Sequence, residues 1–599
     1  MASLRFYGGI EEIGGNKVLL EGDDARIFLD FGRSLGYYNK FFADFLQSRS
    51  KSSVRDLVKL GGLPRIDGIY RDSSINTWID PNGLDHDKDV EWNAFIQAKD
   101  YFTADGLLSD EAWAKNNGGN QFISAIFVSH AHFDHIQDVS YLSEKIPIYC
   151  SEKTELMARV ISEVSNLKSS IEFYYYRNPE IEYKSAHNRT LFPGTPEIKA
   201  KEEKINVTIP KINMEFTIDN PKGIRDYRTL KDQDSVQIGD IKVRLIETDH
   251  SIPGSCAFLI TVDGKNILYT GDIRFHGASG FTIDAFCEKV NAPVHTLIIE
   301  GTRIDEPNII SELDVENDMK DEMQGAEGLI LVDFNWKDIA RFETVRKAAI
   351  ANGRTLLIHP NLAFLLHELY LQEPDKYLDP ATLDGIAVYV KRQESYLYSK
   401  SDYKTTDAGY LEEWGSTVAK DNLNLKKIKD KIDKGDQITP DEQNAWEWAM
   451  HHYNKGIRAY KVRSNPSEYA MLFSFWDLNE LFDLSDESVD LHGAKYIKAS
   501  CEPFNDEMIV DEQKLIRWLD HFQIQYTQDV SKFNGEPIIK RNHASGHASR
   551  PELKELIEKI DPLEYIFPIH TLYPEEFKNL VKTSAKIITS ITPGKEYKV

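Results

Sequence analysis

The sequence predicts an α/β protein of more than one domain. Three observations carry that expectation: short apolar strand patterns alternate with amphipathic helix patterns, the alternation restarts with a new texture near residue 311, and 41% of the 599 residues are hydrophobic, enough for two or three cores. In order, "KVLLEGDDARIFLDFG" reads as two strands joined at Gly22-Asp23-Asp24, with Asp30 closing the second. Residues 36–120, including "IDPNGLDHDKD", form a long irregular elaboration. A strand over 123–128 precedes "DVSYLSEK" as a short helix, "IPIYCS" as a strand and "KTELMARVISEVSNL" as a helix. After a charged, turn-rich stretch over 170–235, "DIKVRLIETDH", "SCAFLITVDG", "KNILYTGD" and "HTLIIEGT" read as strands.

From 311 a second α/β unit begins. "AEGLILVDFN" is a strand, "KDIARFETVRKAAIANG" a helix and "RTLLIHP" a strand. A charged helical stretch covers 408–455, a solvated face rather than a binding patch. "YAMLFSF" and "AKYIKAS" are strands, "EQKLIRWLDHF" a helix and "EYIFPIH" the last strand.

A net charge of −25 excludes polyanion binding over the general surface, so any nucleic-acid site is a local channel. Cys150, Cys256, Cys287 and Cys501 form no CxxC pair, which speaks against a disulfide framework or a thiolate zinc site. The chain lacks a signal-peptide pattern and a run of about 18 apolar residues. A cytoplasmic protein with no membrane partner is expected.

The chemistry gathers in "SHAHFDH", residues 129–135, directly after a strand. His130, His132, Asp134 and His135 in one tight loop offer imidazoles to one cation and a carboxylate with an imidazole to a second, a donor set suited to zinc, or to manganese where oxygen dominates. His250 ends another strand in "ETDHS", and Asp272 ends a third in "LYTGD", where one carboxylate is able to bridge two ions.

With these residues the chain resembles the metallo-β-lactamase superfamily, whose HxHxDH signature is matched by His130, His132, Asp134 and His135; Asp30, His250 and Asp272 match its flanking motifs. "IIEGT" with Glu300, "NHASGHAS" with His543, Ser545 and His547, and "FPIHT" with His570 narrow the likeness to the β-CASP nucleases and their ribonuclease J-like group. The resemblance implies a four-layer αββα sandwich over 1–310 and 531–599, elaborated at 36–120, with an α/β β-CASP cap inserted at 311–530. It implies two divalent ions, Zn2+ or alternatively Mn2+. His130, His132 and His250 are assigned to one ion, Asp134, His135 and His570 to the other, and Asp272 to both. Asp30 orients the loop by hydrogen bonds. Asp134, Glu300 and His547 form the catalytic set, with His547 the proton donor and Glu300 its anchor, and His543 and Ser545 bind a substrate phosphate. Homo-oligomerisation is a further implication, although only about 30 residues follow His570, without the extra C-terminal domain of that group.

The chemistry supports the assignment independently. Phosphodiester hydrolysis needs a nucleophile stronger than water, neutralised phosphoryl oxygens and a proton for the leaving alkoxide. Two cations about 3.5–4 Å apart supply the first two, and a positioned histidine the third. The expected function is a metal-dependent ribonuclease leaving 5′-phosphate products. The alternatives are a DNA nuclease on the same scaffold, which a histidine at position 570 disfavours in this family, and an inactive RNA-binding partner subunit. Arg341 and Arg346 are candidates for the substrate channel. His359 and His367 are read as structural, and "YYYR" at 174–177 as packing.

Overall fold

The early hairpin forms as its pattern dictates: Lys17–Glu21 pairs antiparallel with Arg26–Leu29 around the polar turn, and Ser3–Gly8 adds on the other side. The computed structural model describes residues 2–42, 46, 48, 53–75, 106–164, 172–176, 181–186, 207–212, 223–380, 382–391, 425–440, 442, 443, 446, 456–485, 491–503, 506–529 and 538–599. "IDPNGLDHDKD", Arg177 and most of the 408–455 stretch lie outside them.

Two seven-stranded sheets and one six-stranded sheet organise the chain. The first runs Tyr227–Leu230, Ile148–Ser151, Ala125–Phe127, Arg26–Leu29, Lys17–Glu21, Ser3–Gly8, Tyr597–Lys598. The second runs Ser235–Ile238, Ile241–Glu247, Cys256–Val262, Lys265–Tyr269, Thr296–Glu300, Tyr565–Ile569, Lys586–Ile587. Alternating inward residues from both, among them Leu4, Phe6, Val18 and Leu20 from one and Val243, Leu245, Phe258 and Ile260 from the other, make one buried core. On the far face of the second sheet, Phe286, Leu553 and Leu556 anchor the helices Ile283–Val290 and Arg550–Ile560.

The third sheet has the spatial order Ile386–Val388, Thr355–Ile358, Tyr469–Leu472, Ile330–Asp333, Lys495–Lys498, Gln525–Tyr526, and every pairing in it is parallel. Its central strands Thr355–Ile358, Tyr469–Leu472 and Ile330–Asp333 are near-continuous apolar runs, as burial on both faces requires. Helix Pro360–Gln372 from this unit packs against helix Glu152–Val164 beside the first sheet, and Arg159 pairs with Glu368 across the contact. The two units thereby share a single apolar cluster.

Several expectations need correction. "DVSYLSEK" is a 3-10 turn over Gln137–Tyr141 that stops before the rest of the motif. The turn-rich stretch before 235 contains Tyr227–Leu230, a half-exposed edge strand whose mixed pattern hides it. "EYIFPIH" is not the last strand: Lys586–Ile587 and Tyr597–Lys598 extend one edge of each large sheet, and at two residues each they are too short to leave a period.

Arg341 and Arg346 do not line a channel. Arg341 is 1% exposed; its guanidinium forms a bidentate pair with Glu312 (2.7 and 3.1 Å) and donates to the carbonyls of Asn542 and Ala544. Arg346 pairs with Glu343 and donates to the Asp384 carbonyl. His359 and His367 face Asp477 and Asp379 within the second unit. Tyr174 and Tyr175 bond through their hydroxyls to Glu155 and Glu163. Replacing Arg341 with Ala strands the buried Glu312 carboxylate, and a loss of about 3–5 kcal/mol in unfolding free energy is expected, read by denaturant titration.

Candidate metal centre

Parallel pairing decides where the chemical residues meet. Arg26–Leu29 and Ala125–Phe127 run parallel, as do Lys265–Tyr269, Thr296–Glu300 and Tyr565–Ile569. Ile241–Glu247 shares the direction of Lys265–Tyr269, because Cys256–Val262 pairs antiparallel with both. The carboxyl ends of these strands therefore open on one edge, and they carry Asp30, the 129–135 loop, Asp272, Glu300, His570 and His250.

Among the described residues, three overlapping groups of donors meet there: His130, His132 and His250; Asp134, His135, Asp272 and His570; and Asp272, Glu300, His547 and His570. In the first, His132 Nδ1 lies 3.1 Å from both His130 Nε2 and His250 Nε2. Ligand nitrogens around a tetrahedral zinc at about 2.0–2.1 Å are roughly 3.3 Å apart, so this spacing fits a cation. The second group holds Asp134, His135, Asp272 and His570: His570 Nε2 is 3.2 Å from Asp134 Oδ2, and His135 Nε2 is 3.1 Å from Asp272 Oδ2. The same Asp272 oxygen is 3.6 Å from His130 and 3.8 Å from His250, between the groups. Asp272 Oδ1 is buried without a hydrogen-bond partner among the described residues, an orphan a cation would satisfy.

Oxygen atoms hold the outer nitrogens of four of these rings, as metal-binding imidazoles require. His135 Nδ1 donates to Asp30 Oδ2 (2.7 Å), and His130 Nδ1 to Ser129 Oγ (3.0 Å), which itself donates to Asp30. Tyr269 and the Ser129 amide also donate to Asp30. His250 Nδ1 donates to the Gly546 carbonyl, and His570 Nδ1 to Thr302 Oγ1 at 2.7 Å. Asp30 and His570 both adopt left-handed backbone, φ 55° and 52°, uncommon for non-glycine residues and frequent where a site fixes a side chain. Glycine at 546 allows the close approach: a Cβ there would sit 2.7 Å from the His250 ring. Ser129, Tyr269 and Thr302 escaped the sequence reading, since a hydroxyl that holds a ring leaves no spacing signal.

The charge state differs between the groups. Burial, with further lowering by neighbouring groups, pushes His130 and His250 well below the ordinary imidazole range and His132 to about 3. His135 and His570 are equally buried, but Asp272, Asp134 and, for His135, Asp30 outweigh that burial; His135 rises well above its ordinary range and His570 to about 9. Asp134 and Asp272, though buried, are held ionised, chiefly by His135. A cation entering at His570 displaces a proton. Divalent-ion binding there is thus expected to release protons and to tighten as pH rises toward about 9, measurable by calorimetry in buffers of different ionisation enthalpy.

In the third group His547 Nδ1 lies 3.0 Å from Glu300 Oε2 and 3.8 Å from Asp272 Oδ2. Its side chain is 20% exposed, whereas those of His130, His135 and His570 are 0% exposed, so His547 looks onto solvent. Glu300 is fixed by the amides of Ile273 (3.0 Å) and Thr302 (3.3 Å). Ser545 Oγ accepts from the His547 amide, and the Ser545 carbonyl accepts from His276 Nε2 (2.9 Å), itself held by Glu552. His543 is half-buried, with Nδ1 beside Arg341 Nη1 (3.1 Å) and the Ala499 carbonyl (3.3 Å); burial, then Arg341, hold it neutral. Of the residues selected from the sequence, His130, His132, Asp134, His135, His250, Asp272, Glu300, His547 and His570 are gathered at one edge, with Asp30 behind the His135 ring; Ser545 meets the group through the His547 amide, and His543 stands three to four positions before Gly546 and His547 on the same loop.

Comparison with known proteins agrees. Residues 534–593 match the family model described as "RMMBL: Zn-dependent metallo-hydrolase RNA specificity domain". Over 167 residues the chain is 26% identical to Ribonuclease J 2 of Streptococcus pyogenes serotype M3 (strain ATCC BAA-595 / MGAS315), a match covering 25% of this chain and 30% of that relative. The fold is similar, with a TM-score of 0.58 at 18% identity over 100% of this chain and 99% of the other, to the crystal structure of a protein of unknown function from Enterococcus faecalis V583. The resemblance to ribonuclease J-like metallo-β-lactamase proteins is borne out by the first two matches, and the fold is mixed α/β. Among the described residues no helix is long and apolar enough to cross a membrane.

Proposed function

We propose that this chain is a metal-dependent ribonuclease that hydrolyses RNA phosphodiester bonds and leaves 5′-phosphate and 3′-hydroxyl ends. The observation that carries the reading is Asp272, one buried carboxylate lying between a three-histidine group and a mixed Asp/His group, with the His547–Glu300 pair at its side. His130, His132 and His250 would hold one divalent ion, Asp134, His135 and His570 the second, and Asp272 both. Such a pair, zinc or manganese, supplies Lewis acidity toward a water molecule and the phosphoryl oxygens. Asp30 fixes the ring orientations at 130 and 135. Glu300 accepts from His547 Nδ1–H, and the imidazolium form of His547 gives the proton on its solvent-facing nitrogen to the departing 3′ oxygen, leaving the neutral ring with its proton on Nδ1. His543 and Ser545 bind a neighbouring phosphate, helped by the amides around Gly546.

Within this reading the two large sheets form the four-layer αββα sandwich, 1–310 and 531–599, and 311–530 forms the β-CASP cap. Four free cysteines suit the cytoplasm. The matched description and the relative's name support RNA as substrate. The test is incubation of the zinc- or manganese-loaded chain with RNA and sequence-matched DNA, labelled separately at each end. Cleavage of RNA, abolished by a chelator and restored by the ion, is the expected result. Cleavage of DNA alone would replace this reading with a DNA nuclease, and binding without cleavage would leave an RNA-binding subunit.

A further inference from the structure

Resting on the proposed RNA substrate, one feature of the second unit extends the site. The loop after Ile330–Asp333 lies at the carboxyl end of a parallel strand flanked by Tyr469–Leu472 and Lys495–Lys498. The chain leaves it for Thr355–Ile358, beyond Tyr469–Leu472, so the loop occupies a switch point of strand order, where open α/β sheets bind their ligands. Lys337 in this loop reaches across to the first unit. Its Nζ stands 4.8 Å from the ring centroid of Phe133, the residue between His132 and Asp134. Its charge acts on both of those neighbours.

Lys337 is half-buried, and among the described residues no carboxylate lies within ion-pair distance of its ammonium. With only the longer-range attraction of Asp134 to offset its desolvation, this ammonium is costly unless a ligand supplies a closer anion. On a chain of net charge −25, a cation left free at the mouth of a nuclease cleft meets the requirement for a local phosphate site.

We propose that Lys337 binds a nonbridging phosphate oxygen of the RNA next to the scissile bond, and so ties the second unit to the metal centre when substrate is present. The test uses the full, zinc-loaded chain carrying His547→Ala to slow turnover, and measures its affinity for a single-stranded RNA over a range of KCl concentrations. Lys337→Met on this background is expected to weaken binding roughly tenfold and to flatten the slope of log affinity against log salt by about 0.7, one phosphate contact on a single strand. Lys337→Arg should restore both, with metal content unchanged throughout. Unchanged affinity and slope in Lys337→Met, while its parent binds RNA, overturns the contact alone. A parent that binds no RNA overturns the proposed function and the contact with it. If Lys337→Met fails to fold, Lys337→Gln is read by the same two quantities.

Discussion

Asp272→Ala should abolish hydrolysis and strip the chain of bound divalent metal, the largest effect expected of any single substitution. The reason is electrostatic as well as geometric. One Asp272 oxygen stands within 3.1–3.8 Å of the inward nitrogens of His130, His135, His250 and His570. Without that carboxylate Asp134 is the one carboxylate left among the assigned ligands, and two dications would face each other with no anion between them. Repulsion at such separations in a buried site far exceeds what the remaining imidazoles offset. Elemental analysis of the purified variant, beside the parent, checks the metal, and RNA turnover checks the activity. A variant that retains both ions would show that Asp272 is not their bridge.

His547→Ala should behave in the opposite way toward metal. The ring contributes no atom to either of the two inward-facing groups assigned here, and its Nδ1 is taken by Glu300, so ion content should match the parent. Turnover should fall about 10²- to 10⁴-fold, the usual contribution of a positioned general acid. The loss should shrink for a substrate whose leaving group needs no proton, such as an RNA with a 3′-phosphorothiolate linkage. Metal lost together with activity would instead make His547 a ligand, a role that its 3.8 Å approach to Asp272 leaves open to measurement.

The site was far more legible than its supports. His130, His132, Asp134 and His135 fall within six positions, and that density has no ordinary explanation in a strand-end loop. His250, Asp272, Glu300 and His570 each end a strand pattern, so their convergence follows from parallel strands, and the structure places them together. Arg341 misled because the sequence gives the charge of a helical arginine and not its neighbour: only folding brings Glu312 beneath it. Lys337 was invisible for a related reason, since one lysine in "NWKD" carries no pattern until its loop crosses to Phe133. Among the strands, long apolar runs such as "CAFLITV" were clear, and the two-residue edges at 586 and 597 were not.

The order in which the donors occur along the chain also matters for biosynthesis. A ribosome adding about 5–20 residues per second makes the three-histidine set before residue 251, yet His570 follows a strand, Tyr565–Ile569, that inserts between Thr296–Glu300 and Lys586–Ile587 in the second sheet, and it is made only 320 positions after His250. On the proposed ligand assignment, a polypeptide that stops before residue 570 would lack one donor to the second ion and would be unarmed from the moment it is released.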